Sequence, residues 1–96
     1  MEVTFAHKIR ELRNKKGWSV YDLASKLHKT PGYISKIEAR GEIPSPNVII
    51  KLALLLGAEP EELIRIAKAI KAEEVSRAVE RKYDDGLALY RKGKRD

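Results

Sequence analysis

Apolar residues recur along the first 70 positions at the three- and four-residue spacing of helices, in five separate bursts. Phe5, Ile9 and Leu12 mark the first, with Thr4 ahead as an N-cap and Gly17 behind as a stop after about Lys16. Leu23, Ala24 and Leu27 mark the second; Ile34 and Ile37 mark the third. Val48, Ile49, Leu52, Leu55 and Leu56 mark the fourth, which opens at Ser45-Pro46 and ends at Gly57. Leu63, Ile66, Ala67 and Ile70 mark the fifth. Pro60 opens it, and Glu61 and Glu62 complement the positive end of its dipole. No segment reads as a strand, so the expected class is all-α. Trp18, between the first two helices, reads as a core plug.

The second and third bursts form one unit. Ser19 and Asp22 make an S-x-x-D capping pattern, and Thr30-Pro31 supplies an N-cap followed by proline at the first helical position. Ala24 is small where two crossing helices must approach closely. Two short helices joined this way, with basic residues outward on the second, have the form of a helix-turn-helix, whose second helix enters a DNA groove.

Residues 71–96 have another texture. Val75, Val79, Tyr83, Leu87 and Tyr90 form one narrow apolar stripe in a charge-rich background, interrupted by Asp84, Asp85 and Gly86. A helix with one such stripe must bury it, against its own bundle or against a second copy. The expected organisation is a domain over 1–70 and, over 71–96, an additional C-terminal helix ending in a frayed basic tail from Arg91. The helix is a candidate dimerisation or partner-binding element over residues 71–92. Two copies joined there are expected to hold their recognition helices about 34–36 Å apart, one DNA turn.

Charge sharpens this picture. The net charge of +6 is uneven: residues 1–40 carry +5, 41–70 carry −1 and 71–96 carry +2. The excess sits on the helix-turn-helix segment, as a phosphate-binding face requires. The chain has no cysteine, which excludes disulfides and thiolate metal sites and fits a reducing, cytoplasmic setting. The start, Met-Glu-Val-Thr-Phe, has no signal-peptide pattern, and no apolar run approaches a membrane span.

Several motifs fall in order between residues 5 and about 67: Phe-Ala-His-Lys-Ile-Arg-Glu-Leu-Arg, Asp-Leu-Ala-Ser-Lys-Leu, Tyr-Ile-Ser-Lys-Ile-Glu, Gly-Glu-Ile-Pro-Ser-Pro, Lys-Leu-Ala-Leu-Leu-Leu-Gly and Pro-Glu-Glu-Leu. The chain in this stretch resembles the lambda-repressor-like, Cro-type or XRE-type, helix-turn-helix domains. The resemblance implies a five-helix bundle, usually dimeric, that binds double-stranded DNA and regulates transcription. It assigns Thr30 to a phosphate contact, aided by nearby helix N-terminal N–H groups. Gly32, Tyr33 and Lys36 match positions facing base edges; Lys36 is placed to donate to guanine O6 and N7. Arg40, in the following loop, is placed to reach the backbone. Glu38 matches a position that helps hold the domain together.

The departures from the family are informative. Val20 stands where the family often has a phosphate-binding glutamine, and Tyr21 beside it is the expected substitute. His28 occupies a turn position that favours glycine and positive φ. Lys29 replaces an aliphatic residue, and the connector Glu-Ala-Arg-Gly is one residue longer than usual. Pro31-Gly32 removes side-chain readers at the recognition-helix start, leaving a larger share of readout to DNA shape.

Catalysis is not expected. The two histidines, His7 and His28, lie on different helices, and no H-E-x-x-H, P-loop or G-x-G-x-x-G occurs. No cofactor or metal is expected. The expected function is a sequence-specific, dimeric repressor acting at a pseudo-palindromic operator. The alternatives are an antitoxin whose stripe holds a toxin, and a protein-bridging module that reads no sequence.

Overall fold

A computed structural model describes residues 4–93 of the chain. It contains five helices: α1 (Phe5–Lys15), α2 (Val20–Leu27), α3 (Pro31–Arg40), α4 (Pro46–Leu56) and α5 (Pro60–Gly93). There is no strand among the described residues. Lys94, Arg95 and Asp96, half of the expected basic tail, lie outside them.

Local chemistry sets the helix ends. Thr4 Oγ1 accepts from the His7 N–H at 3.1 Å and starts α1. Ser19 and Asp22 form a reciprocal box at the start of α2: Asp22 N–H donates to Ser19 Oγ at 3.0 Å, and Ser19 N–H donates to the Asp22 carboxylate at 2.8 Å. The bond from the Ser19 N–H first, and the Ser19 hydroxyl after it, hold the Asp22 carboxyl below its ordinary value. Thr30 Oγ1 accepts from the Tyr33 N–H at 3.2 Å and starts α3. Ser45 occupies the N-cap of α4, as expected, but its hydroxyl makes no capping bond. Pro46 at the next position already supplies a helical φ and removes one of the orphan donors.

His28 closes α2 in the left-handed region at φ 59°, the one non-glycine residue with positive φ among those described. Its N–H reaches the Ser25 carbonyl at 3.1 Å, and the Lys29 N–H reaches Ala24 at 2.9 Å. The turn therefore completes the carbonyls that the last turn of α2 leaves open.

The core draws on all five helices. Phe5 and Ile9 of α1, Leu23, Ala24 and Leu27 of α2, and Ile34 and Ile37 of α3 meet Ile49, Leu52, Ala53 and Leu56 of α4 and Leu63 and Ala67 of α5. Every one of these residues is buried, so the helical spacing identified the inward faces correctly. Leu12, Trp18, Val48, Leu55, Ile66 and Ile70 pack around this cluster as partly buried residues. Trp18 is a lid and not a plug: the Lys26 ammonium lies 4.7 Å and the Lys16 ammonium 5.8 Å from its ring centre.

The expected additional C-terminal helix is the second half of α5. The helix runs through Asp84-Asp85-Gly86 without a break. Glycine inside a helix costs about 1 kcal/mol relative to alanine, too little to end one flanked by strong helix formers. From Lys71 to Gly93 every residue is exposed, so the stripe does not fold back on the bundle. The molecule is consequently elongated, with principal extents of 65 × 25 × 25 Å.

Candidate nucleic-acid interface

The chemistry of interest lies on α3, whose two sides have separate tasks. Ile34, Ile37 and Glu38 are buried; Gly32, Ser35, Lys36, Ala39 and Arg40 are exposed and share the opposite side. The helix packs against α2 and α1. Its N-terminus carries Thr30 and Pro31, and its end is set by Gly41 at φ 69°.

One buried acid fixes α3 in place. The Glu38 side chain is 4% exposed and meets the Arg13 guanidinium through two bonds, at 2.8 and 2.9 Å. Arg13, 12% exposed, also donates to the Trp18 carbonyl at 2.8 Å. Hydrogen bonding to Glu38 raises the Arg13 pKa, with the Glu38 charge adding to the effect and burial opposing it. Arg10 is a looser second partner: Nε lies 3.4 Å from the carboxylate and Nη2 3.3 Å from the Glu38 carbonyl. With 53% of its side chain exposed, Arg10 keeps part of its charge toward solvent. The arrangement ties α1 to α3 across 25 residues of sequence and leaves no described buried side-chain polar atom without a partner.

The residues singled out in the sequence occupy distinct environments. Lys36 and Gly32 are exposed on α3, and Thr30 is exposed at its N-cap. Pro31 is half-buried at the first position. Arg40 ends α3 and does not lie in the following loop, so it shares the helical face with Lys36. Glu38, Ala39 and Arg40 of the connector are helical, and Gly41 is the C-cap. Tyr21, 73% exposed, stands at the start of α2 beside half-buried Val20. Tyr33 is set back: it packs against the core, burial raises its phenol pKa, and the Lys29 ammonium lies 5.1 Å from its ring centre.

The spacing argument missed Arg10 and Arg13, which hold Glu38 and with it α3. Arg10 and Arg13 stand three apart on α1, and that spacing on one helical face was the signal available for a paired role. Among the described residues no cluster of three or more potential metal ligands exists, and no helix is long and apolar enough to cross a membrane.

A helix-turn-helix family model matches residues 9–63, more than half of the chain. No curated protein matches it significantly. Among solved structures, SinR of Bacillus subtilis, the master regulator for biofilm formation, is similar in its complex with DNA. It is 27% identical, with a TM-score of 0.58, over 64% of this chain and 98% of that one. A hypothetical transcription factor from Neisseria is 30% identical, with a TM-score of 0.57, over 62% of this chain and 66% of that one. The SinR–SinI complex has a TM-score of 0.59 at 20% identity, over 97% of this chain and 100% of that one, and shows the shared fold alone. The exposed face of α3, the capped turn before it and the matched residues lead to one assignment: the chain belongs to the lambda-repressor-like, XRE-type helix-turn-helix family of DNA-binding transcriptional regulators.

Proposed function

We propose that this regulator is a sequence-specific repressor that binds double-stranded DNA through α3 and acts as a dimer at a pseudo-palindromic operator. The observation that carries the reading is the division of α3: Glu38 locks its inner side, while Lys36 and Arg40 extend from an outer side of small or polar residues. Lys36 is the direct reader, donating to guanine O6 and N7. Arg40 and Thr30 serve phosphates, and the α3 N-terminus adds N–H donors and a favourable dipole. Tyr21 replaces the phosphate contact that Val20 cannot make. Tyr33, set back against the core, supports the helix and reaches at most a thymine methyl. With Gly32 and Pro31 bringing backbone and ring close to the groove, shape readout supplements Lys36. The likeness to a regulator solved with DNA supports the same use of this face.

The test is selection of bound sequences from a random DNA pool, followed by Lys36→Ala on the selected site and on bulk DNA. Loss of the base contact costs about 1–3 kcal/mol, a drop of roughly 5- to 150-fold on the cognate site, with a much smaller loss on random DNA. Equal losses on both would make Lys36 a phosphate contact. Failure to enrich any sequence would favour the bridging module.

A further inference from the structure

Lys29 lies in the turn between α2 and α3, one position before Thr30, where the family pattern has an aliphatic side chain. Its backbone is fixed. The N–H donates to the Ala24 carbonyl at 2.9 Å, directly after the left-handed His28. Its side chain is exposed, and its ammonium lies 5.1 Å from the centre of the Tyr33 ring.

The nature of that partner matters. A carboxylate would hold the ammonium and cancel its charge. The face of an aromatic ring holds it and leaves the charge in place. Between residues 23 and 41 the single acid is Glu38, which is buried against Arg13. The open groove beside Lys29 is lined by Lys26, His28 and Lys51 and by no carboxylate. Neither that groove nor the exposed side of α3 offers the Lys29 ammonium a counter-charge.

We propose that Lys29 is a further DNA phosphate contact, with Tyr33 as the positioning residue that holds its ammonium in place. The inference rests on the DNA-binding reading above and adds a cation that the family pattern does not supply. Arg40 closes α3, and Lys29 precedes its N-cap. At 1.5 Å per residue the helix between them spans about 15 Å, so the two cations serve different phosphates. A side chain already held over a ring loses less freedom on binding than a free lysine does. Tyr33, set back against the core, thereby contributes to binding through Lys29.

The salt dependence of DNA binding reads this contact, because each phosphate contact steepens the fall of log affinity with log salt by about 0.9. The full native chain and its variants are titrated by fluorescence anisotropy at several salt concentrations. The probes are a labelled random-sequence duplex and the site recovered by selection. Lys29→Met should lower the slope by about one phosphate on both duplexes. Native affinity should then fall about 3- to 4-fold further than the variant's between roughly 50 and 200 mM salt. Lys29→Arg keeps the charge and should match the native slope. Lys68→Met, on α5, removes the same charge and should leave the slope as it is. Tyr33→Leu should weaken binding by about 2- to 5-fold, the worth of an exposed cation–π contact. On top of Lys29→Met it should add little, a non-additivity that a merely structural tyrosine would not show.

An unchanged slope in Lys29→Met, or an equal drop in Lys68→Met, would overturn the proposal and leave the operator reading standing. A loss confined to the selected site would make Lys29 a base reader, with the same result. Losses that simply add would overturn the role of Tyr33. Selection that enriches no sequence, with the Lys29 slope change present on random DNA, would sink the operator reading and leave this one standing. A native chain that binds no DNA would overturn both.

Discussion

Removing the charge of Glu38 should unfold the protein more readily than almost any other single polar change. In Glu38→Gln the shape is kept, but Arg13 remains 12% exposed with its main counter-charge gone. Breaking a buried ion pair from one side costs about 3–5 kcal/mol. The lower end applies here, because Arg13 keeps the 2.8 Å bond to the Trp18 carbonyl. At about 4–8 °C per kcal/mol for a domain of this size, the melting temperature should fall by roughly 12–24 °C. Arg13→Ala should cost a comparable amount. Arg10→Ala, which loses a 3.4 Å contact from a half-exposed side chain, should cost below about 1 kcal/mol. A Glu38→Leu, Arg13→Leu double variant should lie closer to the native chain than either single change, since no charge is left stranded. Thermal melts by far-UV circular dichroism decide the matter. If Arg10→Ala destabilises as much as Arg13→Ala, or Glu38→Gln shifts the melt by less than about 4 °C, the buried pair is not what holds α3 to α1.

Three further outcomes follow from other parts of the molecule. His28→Gly should raise stability by about 0.5–1 kcal/mol, because a side chain in the left-handed region is strained even after glycine's extra unfolded-state freedom is counted; a lower melting temperature would contradict this. Asp22 has a depressed folded pKa, so its contribution is complete above the ordinary carboxylate range and lost as pH falls through the folded value. Comparing the native chain with Asp22→Asn across acid titrations should show the stability difference closing at low pH and constant near neutrality. DNA affinity should fall steeply between low and moderate salt as counterions are released, and a flat response would argue against a phosphate-dominated interface.

The helix boundaries could be read from the chain because capping is local. Thr4, Ser19 with Asp22, Thr30 with Pro31, and Gly57 each act within one turn of their own position. The outer face of α3 was equally accessible, since Ile34, Ile37 and Glu38 define its inner side and Lys36 follows by rotation. What escaped was non-local or depended on accumulated propensity. The Arg13–Glu38 pair joins residues 25 apart, and no spacing rule reaches that far. The continuity of α5 was obscured at Ile70–Lys71, where the inward apolar face gives way to one narrow stripe in a charge-rich background, although no helix-breaking residue separates the two halves. The placement of Arg40 depended on where the left-handed cap falls, at Gly41, directly after it.

Gly32 carries a last consequence. Its φ is not in the positive region, and a Cβ there would meet only Thr30 Oγ1, at an ordinary 3.8 Å. The position is therefore blank by sequence and not by steric demand. Installing asparagine, glutamine or arginine would put a new side chain on the exposed side of α3 while removing a first-turn glycine, which costs less than the about 1 kcal/mol of a helix-interior one. Retargeting and stabilisation usually oppose each other in engineered regulators. Here one codon acts on both, and a library at Gly32 is a route to regulators with new DNA preferences and little loss of thermal tolerance.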